Sequence, residues 1–88
     1  MFSQKIYAEI ARMTQLALDR MHSQRTIEQV RLILESVRLS SRNVAGYDAE
    51  LRTAVARLWE LARADNQPQL TDALETLMHE MDDERPPS

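Results

Sequence analysis

The side chains able to do acid–base, metal or phosphate chemistry are few in this 88-residue chain, and none is grouped as that chemistry requires. The two histidines, His22 and His79, lie far apart in sequence. His79 has Glu80, Asp82 and Asp83 beside it, and His79 and Asp83 are four apart, on one helix face. A tight metal site needs several convergent ligands at fixed spacing. One pair near a fraying terminus reads as solvated polar residues, and His22 reads as a loop residue. No cysteine is present, which removes disulfides, thiolate metal sites and a cysteine nucleophile. The single glycine, Gly46, cannot build a phosphate-cradling loop, and no nucleophile elbow occurs. Carboxylates are plentiful, but none sits inside an apolar stripe where burial would raise its pKa. The expectation is therefore no catalytic residue, no metal and no cofactor.

Arginine is the residue type that stands out. Ten of the eleven basic residues are Arg. The guanidinium makes forked contacts and stacks on planar groups, so it suits interfaces better than Lys; genomic base composition is the plainer source of the bias. Arg31, Arg38 and Arg42 fall on one flank of a single predicted helix, with Arg25 just ahead. Such a stripe could contact phosphates, and this helix, a turn at Asn43–Tyr47 and the next helix could form a helix-turn-helix. Against nucleic acid, the chain as a whole has a net charge of −3, and Glu28 and Glu35 can pair with the arginines along the helix. No Lys accompanies the stripe, and no cluster of base-reading Asn or Gln stands out.

Charge is unevenly distributed. Residues 1–64 carry ten basic against seven acidic side chains, a net of +3, whereas residues 65–88 carry one against seven, a net of −6. The run from Asp82 to Ser88, with two of the three prolines, reads as a disordered acidic tail that solvates its end of the chain. A fold-back onto the arginine flank, or mimicry of nucleic acid toward a partner, is the alternative role for it.

Positioning these residues falls to helices. Ala, Leu, Arg, Glu, Gln and Met dominate, and no stretch alternates with period two, so an all-α fold is expected. A first helix spans about Ser3 to Met21, with Ser3 as N-cap, Phe2 packing just ahead, and Ile6, Ile10, Met13, Leu16, Ala17 and Met21 as its main stripe. Tyr7, Ala11 and Leu18 form a second, narrower stripe. A break is expected near His22–Arg25, because heptad steps of the first stripe land on Arg20, Gln24 and Arg31, and because Thr26 with Gln29 fits a capping box. Without that break the first two helices would be continuous and the bundle would have three.

The second helix spans about Thr26 to Asn43, with Ile27, Val30, Ile33, Leu34, Val37 and Val44 on one side. Leu32 and Leu39 point the opposite way, seven residues apart. Gly46 fits the position just past a helix end and Asp48 an N-cap. A third helix runs to about Ala64 with a broad apolar arc that includes Trp59, which reads as core rather than interface anchor. Asp65-Asn66-Gln67-Pro68 is a turn, Pro68 opens the fourth helix, and Leu70, Ala73, Leu74, Leu77, Met78 and Met81 form its stripe. The five methionines read as gap-fillers near helix ends.

These elements predict one domain over 1–81, a small four-helix bundle, followed by the tail 82–88. No run of about 18 apolar residues is present, so no membrane contact is expected; no secretory leader is apparent, and a cytoplasmic location is the default. A monomer's surface helix needs one apolar stripe, and the second stripes on the first two helices imply a further surface to cover. The expectation is a regulatory adaptor or inhibitor that binds a protein partner, or a second copy of itself as a homodimer. Tyr7, Leu18, Leu32 and Leu39 would be its apolar centre, and Arg31, Arg38 and Arg42 its polar rim. A DNA- or RNA-binding regulator using the arginine flank is the alternative. No motif is specific enough to carry a family resemblance.

Overall fold

Four helices form a small all-α bundle: α1 (Gln4–Arg20), α2 (Gln24–Arg42), α3 (Asp48–Ala64) and α4 (Pro68–Asp83). The computed structural model describes residues 2–42 and 48–83, with side chains described for 2–39 and 49–83. Gly46, the Asn43–Tyr47 turn, Val44, the side chains of Arg42 and Asp48, and the tail from Glu84 onward lie outside the described residues.

α1 begins where the sequence places it. Ser3 is extended (φ −67°, ψ 162°), and its hydroxyl accepts from the Ile6 N–H at 3.3 Å, which satisfies one of the orphan donors of the first turn. One face of α1 then buries Ile6, Ile10, Met13 and Ala17, with Phe2 and Met21 at its two ends. Thr14 is also fully buried, and its hydroxyl donates to the Ile10 carbonyl at 2.7 Å, so the burial leaves no unmet donor.

The break between α1 and α2 is real, but its mechanism differs from the expected capping box. Met21 turns extended (φ −66°, ψ 140°) and stays buried, so the chain leaves the helix by anchoring a side chain in the core. α2 then starts at Gln24, with the Ile27 N–H bonded to the Ser23 carbonyl at 2.9 Å. Thr26 and Gln29 consequently lie inside the helix. The start is set by a carboxylate from elsewhere in the chain, described below.

α3 ends in a Schellman motif. Asn66 is left-handed (φ 60°), its N–H bonds to the Arg63 carbonyl at 3.1 Å, and the Gln67 N–H reaches back to Ala62 at 3.0 Å. This is the geometry that satisfies a helix's last carbonyls, and Asn tolerates the left-handed region better than most residues. Pro68 then opens α4, where its missing N–H is no loss. α4 buries Leu70, Leu74, Leu77 and Met81 and continues through Asp83, two residues into the stretch expected to be tail.

α1 and α3 each pack against the other three helices, whereas α2 and α4 make no contact with each other among the described residues. The core is one cluster to which every helix contributes, including Val30 and Val37 of α2 and Leu51, Val55, Leu58 and Ala62 of α3. Each fully buried aliphatic side chain contributes roughly 2 kcal/mol. With extents of 38 × 23 × 17 Å, the bundle is two helices thick in each cross-direction, and every helix keeps an outward face.

Candidate functional site

On α2, Val30, Leu34 and Val37 face the core, and Ile27 and Ile33 flank them half-buried. At about 100° per residue, Leu32 and Leu39 lie on the opposite side. They are 70% and 61% exposed, and they are the two large hydrophobic side chains that stand exposed among the described residues. Seven residues, about two helical turns, separate them, and they make a short apolar ridge along the outside of the helix.

Beside the ridge, an open groove of about 490 Å³ runs between α2 and α3. Leu32, Ile33 and Ser36 form one wall, and Ala49, Glu50, Thr53, Ala54 and Arg57 form the other. Ala and Thr on α3 leave the groove shallow-walled, because neither side chain can fill the space opposite Ile33. Arg57 closes one end by donating to the Gln29 side chain at 3.1 Å. Glu28 and Glu35 lie next to the leucines on the other flank of α2, with Arg31 and Arg38 beyond them, all exposed. The arginine flank therefore borders the ridge but does not line the groove.

The structure divides the predicted contact residues. Leu32 and Leu39 are exposed together, as the second stripe of α2 predicts. Tyr7 and Leu18 are half-buried and pack against the core, so much of α1's second stripe is covered within the chain. Trp59 is half-buried as well: its indole N–H donates to Glu75 at 3.2 Å, and the Arg63 guanidinium lies 5.4 Å from its ring centre. That places it at the α3–α4 seam. His79 and Asp83 gain no further ligand, and no group of three or more His, Cys, Asp or Glu able to hold a metal occurs among the described residues. No helix among them is long and apolar enough to cross a membrane.

A second polar constellation was not visible in the sequence. The Asp65 carboxylate, 5% exposed, sits at the end of α3 and accepts from the backbone N–H of His22 at 3.0 Å and of Ser23 at 3.4 Å. The Gln67 amide donates to the same carboxylate at 3.1 Å and to the Arg20 carbonyl at 2.7 Å. His22 Nδ1 lies 3.0 Å from Asp65 Oδ2. Burial pushes the Asp65 carboxyl up, but the His22 N–H, the Gln67 amide, the Ser23 N–H and the charge of His22 more than reverse this and hold it below its ordinary value. The Schellman turn aims Asp65 at the start of α2, so one connection of the bundle caps the other. At the opposite end, Arg52 donates to Asp82 at 2.6 Å and to the Met81 carbonyl at 3.2 Å while lying 5.2 Å over the Phe2 ring. Both constellations join one part of the fold to another, and neither borders the exposed ridge.

No protein-family model, curated protein or solved structure matches the chain.

Proposed function

We propose that the chain is a non-enzymatic protein–protein interaction module, a small regulatory adaptor or inhibitor, that works by packing the outer face of α2 against a helix of a macromolecular partner and associates with itself through the same face. The observation that carries the reading is the joint exposure of Leu32 and Leu39, one heptad apart, on a helix whose opposite face already fills the core. Covering one such leucine returns roughly 1–2 kcal/mol from apolar burial, and the groove beside it offers room for a facing side chain. Charged side chains on both borders of the ridge supply the polar rim that surrounds an apolar centre at protein interfaces.

The test is Leu32→Asp with Leu39→Asp, followed by molar mass from light scattering and helicity from circular dichroism. The double variant keeps its helicity and loses association. If it unfolds, the two leucines belong to the core and the proposed face does not exist.

A further inference from the structure

We draw no further inference here: the strongest candidate, the apolar ridge of Leu32 and Leu39 on the outer face of α2 with the groove between α2 and α3 beside it, is bordered on both sides by charges of both signs, and nothing in the structure shows what covers it.

Discussion

Asp65 ties the two ends of the bundle's connections together, and its removal gives a prediction with a magnitude. Asp65→Ala strips the acceptor from the His22 and Ser23 N–H groups and from the Gln67 amide. Loss of a helix cap to Ala costs about 1 kcal/mol, and hydrogen bonds to a charged group contribute roughly 1.5–3 kcal/mol. His22 and Ser23 are exposed, so water partly replaces the lost acceptor. The expected loss is therefore about 2 kcal/mol, which for a domain of this size lowers Tm by roughly 8–16 °C. The pH dependence has a definite sign. The carboxyl's pKa is lowered on folding, so its contribution is present above the unfolded value of about 3.9 and is lost as pH falls through the folded one. Thermal unfolding followed by helical circular dichroism should show the full Asp65→Ala deficit at about pH 7 and a much smaller one at about pH 2–3. His22→Ala is the control: the backbone N–H remains and the imidazole is largely exposed, so its effect stays within about 0.5 kcal/mol. A Tm for Asp65→Ala within a degree or two of the parent at pH 7, or a deficit that does not change with pH, refutes the capping role.

The packing makes further predictions. Leu58 is fully buried, so Leu58→Ala costs about 3 kcal/mol in urea unfolding, whereas Leu32→Ala, on the ridge, changes monomer stability by no more than about 0.5 kcal/mol. Arg52→Ala loses the Asp82 and Met81 contacts and the Phe2 ring, which costs about 1 kcal/mol by the same measurement; no change would show the clamp to be idle. Asn66→Val places a β-branched residue at φ 60° and lowers stability by about 1–2 kcal/mol, while Asn66→Gly is neutral or slightly stabilising.

Local signals were legible and distant ones were not. Ser3, Pro68 and the stripe of α4 act within one or two turns of themselves, so their spacing alone places them correctly. α2 starts at Gln24 rather than at Thr26 because its cap, Asp65, lies 42 residues from Ser23; the Thr26–Gln29 pattern is only the nearest local substitute. The two stripes of α1 and α2 looked equivalent in sequence, but helical period says only that a face is apolar and not what covers it. Tyr7 and Leu18 lie on a helix that touches all three others and are half-buried. Leu32 and Leu39 lie on a helix that makes no contact with α4 among the described residues, and most of their surface stays exposed. Width of stripe could not separate these cases; adjacency in the bundle does.

The outer face of α2 is proposed as a contact surface, first of all for another copy of the chain. Molar mass by light scattering, measured on the unmodified protein over a wide concentration range, tests it most directly. The mass should rise from 10.2 kDa toward twice that value as concentration increases. A mass that holds at the monomer value up to millimolar concentration contradicts it.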